Sequence, residues 1–218
     1  VLDGVSDALT YNAFGELASY TAKIGATGVF SEVVDTVANP RDKLGRIVER
    51  VETNGGAAVT WGYAYDVRGR LTDVTKDGLL FEHYDYDGNG NRVLLQTPSG
   101  NTVGVYDAQD RLLSYGSSSY TYTANGELAT KTDASGVTTY TYDVRGNLVA
   151  VVLPSGDVIE YLIDGQDRRV GKKKNGVLEK QWLYRSALDP VAELDGSGAL
   201  VSRFVYGSRN NAPDFMVR

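Results

Sequence analysis

The residues best suited to chemistry lie in the segment YDYDGNGNR. Asp85, Asp87 and Asn89 are spaced like the first ligands of a calcium-binding loop, D-x-[DN]-x-[DN]-G. Ca²⁺ prefers carboxylate and amide oxygens, but such a loop also needs a bidentate Glu at its end, where this chain has Gln96. The flanking residues alternate like strands rather than helices. We therefore expect no metal site here, and the spacing needs another explanation.

His83 is the second candidate for chemistry, because it is the only histidine in the chain. On a strand it would share a face with Phe81 and Asp85, and a His–Asp pair can perform acid–base work. No nucleophile elbow, H-E-x-x-H sequence or Walker-type loop accompanies it. We expect a strand histidine hydrogen-bonded to a neighbour and predict that the chain is not an enzyme. The 28 Asp and Glu residues still leave a glycosidase-like carboxylate pair open.

The third candidate is a basic run that ends at the turn Asn175-Gly176. Its members are Arg168, Arg169, Lys172, Lys173 and Lys174. Such a run could bind phosphate or an acidic surface. We favour a solvated hairpin end whose charges protect the sheet against aggregation.

A repeated motif supplies the elements that position these residues. Its consensus is Y-D-x-x-G-[RNE]-L, numbered here as positions 1 to 7. Copies begin at Tyr11, Tyr65, Tyr86, Tyr106, Tyr122 and Tyr142, with weaker copies at Arg41 and Ile163. From residue 65 the anchors fall at 65, 86, 106, 122, 142 and 163, so they lie 16 to 21 residues apart. The calcium-like spacing is one of these copies and indicates a turn.

Each motif position has a predicted structural role. Asp at position 2 accepts hydrogen bonds from the turn backbone, and Gly at position 5 supplies a positive φ. Position 6 faces water or pairs with the Asp, Leu at position 7 restarts the buried alternation, and Tyr at position 1 stacks on the next Tyr. The predicted structural residues are Tyr11, Gly15, Tyr65, Asp66, Gly69, Tyr86, Asp87, Gly90, Tyr106, Asp107, Tyr122, Gly126, Tyr142, Asp143 and Gly146.

A second series of turns lies between the motif copies, so each repeat holds two strands. Its glycines are Gly78, Gly100, Gly116, Gly136, Gly156, Gly176 and Gly198. Asn175-Gly176 is the strongest hairpin signal, typical of a type I′ turn. Between turns the residues alternate, with Thr138, Tyr140 and Tyr142 on one face. This pattern predicts an all-β fold of repeated antiparallel β-hairpins without long helices.

We expect residues 1–218 to form a single repeat region, less regular over 1–60, regular over 61–206 and ending in a tail at 207–218. Within the first part we expect a longer hairpin between Tyr20 and Asp42, ending at Asn39-Pro40. The formal charge of −6 disfavours nucleic acid and anionic membranes as partners. No apolar run reaches the roughly 20 residues of a membrane span. We see no signal peptide, and the start without Met suggests a fragment of a longer polypeptide.

Many copies of the motif in register resemble the Rhs, or YD-repeat, family. The resemblance covers nearly the whole chain and is strongest from Tyr63 to Arg203. It implies a curved or spiralling sheet that is a section of a hollow β-shell. In bacterial members such a shell encloses a C-terminal toxin, and in teneurins a related shell is an extracellular adhesion scaffold. The resemblance therefore implies a secreted or cell-surface, non-catalytic scaffold without cofactors, whose partner is an encapsulated toxin or other passenger.

The chain departs from the family pattern in two respects. It is shorter than complete shells, and it lacks the D-P-x-G motifs connected with self-cleavage, because Asp189-Pro190 is followed by Val191-Ala192. We therefore assign neither self-cleavage nor a toxin domain to these residues. An open sheet would leave edges for self-association. The alternative function is a surface adhesion or carbohydrate-binding module, whose exposed tyrosines would stack on sugar rings.

Overall fold

The computed structural model describes residues 4–35, 41–207 and 211–218. These residues form strands and turns, and no helix occurs among them. Accordingly, the described parts hold no helix long and apolar enough to cross a membrane. The chain divides into two compact units, Val1–Arg111 and Leu112–Arg218. The predicted all-β fold of antiparallel hairpins is confirmed in both units.

The first unit is a meander in which each strand pairs antiparallel with the next along the chain. Its strands are β1 (Val5–Tyr11), β2 (Leu17–Ile24), β3 (Thr27–Val33), β4 (Glu49–Asn54), β5 (Ala57–Tyr65), β6 (Leu71–Lys76), β7 (Leu79–Tyr86), β8 (Arg92–Thr97) and β9 (Gly100–Tyr106). β1 is exposed along its whole length. A hairpin spans β2 and β3, whereas the end predicted at Asn39-Pro40 lies outside the described residues.

The second unit repeats the same meander, again with antiparallel pairing between consecutive strands. Its strands are β10 (Leu112–Tyr115), β11 (Ser118–Tyr122), β12 (Leu128–Asp133), β13 (Gly136–Tyr142), β14 (Leu148–Val152), β15 (Val158–Ile163), β16 (Arg169–Lys174), β17 (Val177–Tyr184), β18 (Pro190–Asp195), β19 (Leu200–Val205) and β20 (Phe215–Val217).

Burial follows the period of two that the sequence predicts. On β13, Thr138, Tyr140 and Tyr142 are half-buried, while Val137 and Thr139 are exposed. Fully buried apolar side chains are few among the described residues: Val34, Val74, Val151, Ile159 and Ala192. Each unit therefore lacks a thick core, and its order rests mainly on strand pairing and on contacts between neighbouring turns.

A bulge accompanies the motif at position 1. Ala64 pairs with Asp73, but the next residue, Tyr65, pairs with Leu71, so Thr72 has no partner in the ladder. The same shift occurs at Tyr11, Tyr86, Tyr122, Tyr142, Ile163 and Tyr184. Such bulges bend a strand and increase its twist. Position 1 is thus set at the end of its strand, close to the turn.

The opposite ends of the strands carry the second series of turns. Lys174 pairs with Val177, which leaves Asn175 and Gly176 as a two-residue loop with φ of 50° and 79°. Two positive φ angles define a type I′ turn, so this prediction is confirmed. Asn175 also accepts a hydrogen bond from the backbone N–H of Val158 at 2.8 Å.

Candidate functional site: the ladder of repeat turns

The motif folds into a turn that is closed by its own side chains. In the turn from Tyr65 to Leu71, Asp66 Oδ1 accepts the backbone N–H groups of Arg68 and Arg70, each at 2.9 Å. Arg70 Nε donates to Asp66 Oδ2 at 2.7 Å. Gly69 has a φ of 83° and donates its N–H to the Asp66 carbonyl at 2.9 Å. This is a type I turn followed by a left-handed residue, a common hairpin connection.

Electrostatics favour the ionised form of the Asp in this turn. The hydrogen bond from the Arg70 backbone, followed by that from its side chain, holds the pKa of the Asp66 carboxyl below its ordinary value. The same closure recurs with Arg at position 6 in the pairs Asp42–Arg46, Asp107–Arg111 and Asp164–Arg168. It recurs with Asn at position 6 in the pairs Asp87–Asn91 and Asp143–Asn147. We call all of these regular turns.

The turn that ends at Leu71 also contacts the next turn. The Arg70 guanidinium lies 4.5 Å from the centre of the Tyr86 ring. Tyr86 Oη donates a hydrogen bond of 2.8 Å to the carbonyl of Leu71. Here position 6 and position 7 of one repeat contact position 1 of the next, through a cation–π contact and a hydrogen bond.

The tyrosine-to-carbonyl bond runs along both units. Its pairs are Tyr65 to Ile47, Tyr86 to Leu71, Tyr106 to Arg92, Tyr122 to Leu112, Tyr184 to Arg169 and Tyr206 to Pro190. Arg41, which replaces Tyr at position 1, donates to the Leu17 carbonyl at 2.8 Å. The Arg41 guanidinium thus makes the hydrogen bond that a tyrosine hydroxyl makes in the other repeats.

The predicted stacking of motif tyrosines on one another was wrong. Tyr65 is on β5 and Tyr86 is on β7, so β6 separates them. Adjacent strands lie about 4.8 Å apart, and two such steps exceed the reach of stacked rings. The sequence already indicated two strands per repeat, but the stacking prediction treated equivalent tyrosines as if they lay on adjacent strands. Arginine from the preceding turn covers the ring instead: Arg46 covers Tyr65 at 4.5 Å and Arg168 covers Tyr184 at 5.2 Å.

In one turn the basic residue stands at position 2 and the acidic residue at position 6, the reverse of a regular turn with Arg at position 6. In the turn from Tyr184 to Pro190, Arg185 stands at position 2 and Asp189 at position 6, and their side chains meet at 2.9 Å. Ser186 Oγ donates to Asp189 Oδ2 at 2.9 Å. These donors, Arg185 first, lower the pKa of Asp189. We call this the reversed turn.

Sequence reasoning missed the reversed turn, because it lacks both Asp at position 2 and Gly at position 5, whereas every accepted copy keeps at least one of them. Spacing alone contained the signal. Tyr184 follows Ile163 by 21 residues and Tyr206 follows Tyr184 by 22, close to the period of the other copies.

The calcium-like residues are engaged by the turn and its neighbour. Asp87 Oδ1 accepts the backbone N–H groups of Asn89, Gly90 and Asn91 at 2.8–2.9 Å. The amide of Asn89 donates to Asp110 at 2.8 Å. Across the described ranges no cluster of three or more acidic, histidine or cysteine ligands could hold a metal.

His83 lies between two carboxylates, as a strand residue bonded to its neighbours. Its Nδ1 is 2.8 Å from Asp73 on β6, and its Nε2 is 3.4 Å from Asp85. The hydrogen bond with Asp73 is the main reason why the pKa of His83 is raised. The two carboxylates thus favour the protonated form of the imidazole, which links β7 to β6.

The basic run is largely neutralised by its own surroundings. Lys172 pairs with Glu179 at 3.1 Å, and Lys174 pairs with Asp157 at 3.0 Å. The remaining contacts are Arg168 with Asp164 at 2.7 Å and Arg169 over the Tyr161 ring at 3.9 Å. Three of the five cations in the run are therefore paired with carboxylates of the same hairpins.

The first unit holds a cavity of about 270 Å³ with aromatic and charged walls. Tyr63 and Tyr65 form one side, with Arg50 and Glu32 beside them. Arg50 Nε is buried and has no hydrogen-bond partner. Burial raises the pKa of Tyr63. The cavity thus combines ring faces with charged side chains.

Comparison with known proteins places this architecture in a family. Residues 4–218 match the family model of the teneurin YD-shell. The chain belongs to this family. Its regular turns are therefore YD repeats, and its hairpin meander is the repeated sheet of a YD-shell, which supports a scaffold role.

Individual relatives include eukaryotic and bacterial proteins. Teneurin-3 of Danio rerio is 31% identical over 163 residues, 72% of this chain. The tRNA3(Ser)-specific nuclease WapA of Bacillus spizizenii is 29% identical over 149 residues, 64% of this chain. The YD-shell chain spans 6% of the length of each.

Among solved structures, the Tc holotoxin pore of Photorhabdus luminescens is similar over 93% of this chain and 16% of its own. The TM-score is 0.45 and the sequence identity is 13%.

Proposed function

We propose that this chain is a non-catalytic section of a hollow β-shell that encapsulates and protects a C-terminal toxin or another passenger polypeptide. The observation that carries the proposal is the match of residues 4–218 to the YD-shell family. The family match supports a scaffold role, and our proposal adds that the scaffold encloses a passenger polypeptide.

The thin, repeated sheet supports the proposal that this region forms part of the wall of a shell. Closure within each turn and the contacts to the next turn use the motif residues themselves, so their role is structural. A sheet with few buried side chains is a thin layer that can be extended by adding repeats. We assign residues 1–218 to one such repeat region, and we place the protein outside the cell or on its surface, the setting in which a protective shell is useful.

Protease protection tests this function. The polypeptide that carries this region is treated with a nonspecific protease, and mass spectrometry follows the segment C-terminal to the repeats. We expect that segment to survive in the folded protein and to be digested after mild denaturation that opens the repeats. Rapid digestion of the segment while the repeats stay intact would contradict encapsulation.

A second candidate is a carbohydrate-binding adhesion module, favoured by the cavity at Tyr63 and Tyr65. Its ring faces can stack on a pyranose, and Arg50 and Glu32 can hydrogen-bond to hydroxyl groups. A glycan array with the wild type and with Tyr63→Ala tests this function. Reproducible binding that disappears in Tyr63→Ala but persists in Tyr140→Ala, on β13, would support it. Absence of binding by the wild type would remove it.

A further inference from the structure

In four pairs of successive turns, position 6 of one turn lies against a glycine at position 5 of the next. A Cβ added to Gly45 would lie 2.6 Å from Glu16 Oε1, and one added to Gly69 would lie 3.4 Å from Arg46 Nη1. The same neighbours recur in both units: Arg70 Nη1 at 3.8 Å from a Cβ on Gly90, and Glu127 Oε1 at 3.8 Å from a Cβ on Gly146. In all four cases a long side chain at position 6 faces a glycine.

Two turns have Asp in place of this glycine. Asp110 and Asp167 take positive φ angles of 61° and 59°. A residue with a Cβ is less stable in this conformation than glycine. Some contact must therefore compensate for the aspartate at both positions.

The compensating contact is a short amide at position 6 of the preceding turn. Asp110 Oδ1 accepts the Asn91 amide at 2.7 Å, and Asp167 Oδ1 accepts the Asn147 amide at 3.1 Å. A second donor reaches each carboxylate, from Asn89 at 2.8 Å and from Arg145 at 3.1 Å. The arrangement occurs once in each unit, so the two instances are independent.

Side-chain length explains the pairing. Arg or Glu at position 6 extends to the next turn, and glycine leaves room for it. Asn is too short to cover the next turn, and aspartate at position 5 reaches back to meet it. A long residue therefore faces Gly, and a short amide faces Asp.

We propose that position 6 of one repeat and position 5 of the next form a recognition pair that selects which repeats can be neighbours. A turn with Asn at position 6 fits a following turn with Asp at position 5. A turn with Arg or Glu at position 6 fits a following turn with Gly. Arg168, which precedes the reversed turn with Leu188 at position 5, lies outside this rule. The rim of turns is thereby an interaction surface whose partner is a repeat of the complementary type, and it adds to the pairing that the short loops already impose.

Replacing Asp110 tests whether its hydrogen bonds stabilise the pair of turns or whether the aspartate only strains its own turn. Asp110→Gly relieves the positive φ but removes both hydrogen bonds, whereas Asp110→Asn keeps an amide oxygen as acceptor. We expect Asp110→Gly to lower the thermal midpoint of unfolding. It should also speed hydrogen exchange at the side-chain amides of Asn89 and Asn91 about threefold to tenfold. Asp110→Asn should have a smaller effect. A higher midpoint in Asp110→Gly would overturn the proposal, because it would show that the aspartate only strains the turn.

Conversion to the other pair type is the decisive experiment. Asn91→Arg in the Asp110→Gly background creates the Arg–Gly pair seen at Arg70 and Gly90. We expect this double variant to regain the midpoint that Asp110→Gly loses. Asn101→Arg in the same background, on strand β9, controls for the added charge and should restore nothing. Equal recovery with either arginine, or none with Asn91→Arg, would contradict the recognition pair.

Discussion

The regular turn at Tyr65 and the reversed turn at Tyr184 reach the same closure by different chemistry. In both, the N–H of position 2 donates to the carbonyl of position 6 at 2.9 Å, in one case from Asp66 to Arg70 and in the other from Arg185 to Asp189. In both, the side chains of these positions form an ion pair. The signs of the charges are exchanged.

The two turns differ in the hydrogen bonds at the tip of the loop and in the backbone conformation of position 5. The regular turn uses the Asp66 carboxylate as acceptor and has a left-handed Gly69 at position 5. The reversed turn has Leu188 at position 5, without a positive φ, and Ser186 donates to the carboxylate. The comparison teaches that closure and the ion pair are the constant parts. Glycine is needed only where the tip turns left-handed.

Substitution at position 5 should give the largest difference between the turns. Gly146→Val forces a β-branched residue into a φ of 84° with nothing closer than 3.8 Å to the new Cβ. We expect a loss of about 1–3 kcal/mol in the free energy of unfolding from backbone strain. Leu188→Val places the same residue at position 5 of the reversed turn and should cost less. Chemical denaturation measures both, and equal losses would break the distinction.

Exchanging the charges should break the reversed turn. The double variant Arg185→Asp and Asp189→Arg restores the charge order of a regular turn but leaves Leu188 at position 5. We expect a lower thermal midpoint, since the tip cannot present its N–H groups to the new carboxylate. Adding Leu188→Gly should recover part of the loss. If the exchanged pair alone were as stable as the wild type, backbone conformation at position 5 would be irrelevant.

The hydroxyl of position 1 should matter less than either change. Tyr86→Phe removes the bond to the Leu71 carbonyl at 2.8 Å while keeping the ring under Arg70. We expect a loss of about 1 kcal/mol in the free energy of unfolding, a typical value for one hydrogen bond. Tyr184→Phe removes the more solvent-exposed bond to Arg169 and should cost less. A larger effect at Tyr184 would reverse our ranking of the two sites.

Acid should weaken both turns alike. The pKa values of Asp66 and Asp189 are both lowered, the first by backbone hydrogen bonds and the second by Arg185. Their stabilisation is therefore complete above the ordinary carboxyl pKa and is lost as pH falls through the folded-state values. Asp66→Asn should flatten the fall in thermal midpoint at low pH. An unchanged fall would show that other carboxylates dominate acid unfolding.

His83 lies outside both turns and should give the smallest effect, with the opposite sign. Its pKa is raised by Asp73 and, less, by Asp85, the two charged groups that face it. The stabilisation is therefore fully present below the ordinary histidine pKa of 6.5 and is lost as pH rises through the folded-state value. His83→Gln should remove this decline, which thermal unfolding from mildly acidic to mildly alkaline pH measures. A variant that declined like the wild type would exclude His83 as its source.

Local chemistry was the part of this protein that the sequence could predict. Positive φ at Gly69 and hydrogen-bond acceptance by Asp66 follow from the residue types, and strand faces follow from alternation, as on β13. Contacts between repeats could not be predicted in the same way. The stacking of Tyr65 on Tyr86 failed because equivalent positions lie two strands apart, and the arginine that covers each ring belongs to the preceding turn, a contact that the motif letters do not specify.

The reversed turn shows a second limit. Arg185 and Asp189 satisfy the same closure as Asp66 and Arg70, but a consensus search compares letters at fixed positions. Interchange of two charges leaves the physical interaction intact and removes the match. Periodicity of the aromatic anchors, which reached Tyr184 and Tyr206, is a more durable signal because it reflects the geometry of the sheet.

Pairing of each strand only with its neighbours in the chain has a consequence for folding. A meander of this kind gains stability step by step, as the sum of repeat and nearest-neighbour terms. Folding can start at any hairpin and spread outward in both directions, with only short loops to close. Damage to one turn would then leave distant repeats folded and divide the sheet into shorter cooperative stretches.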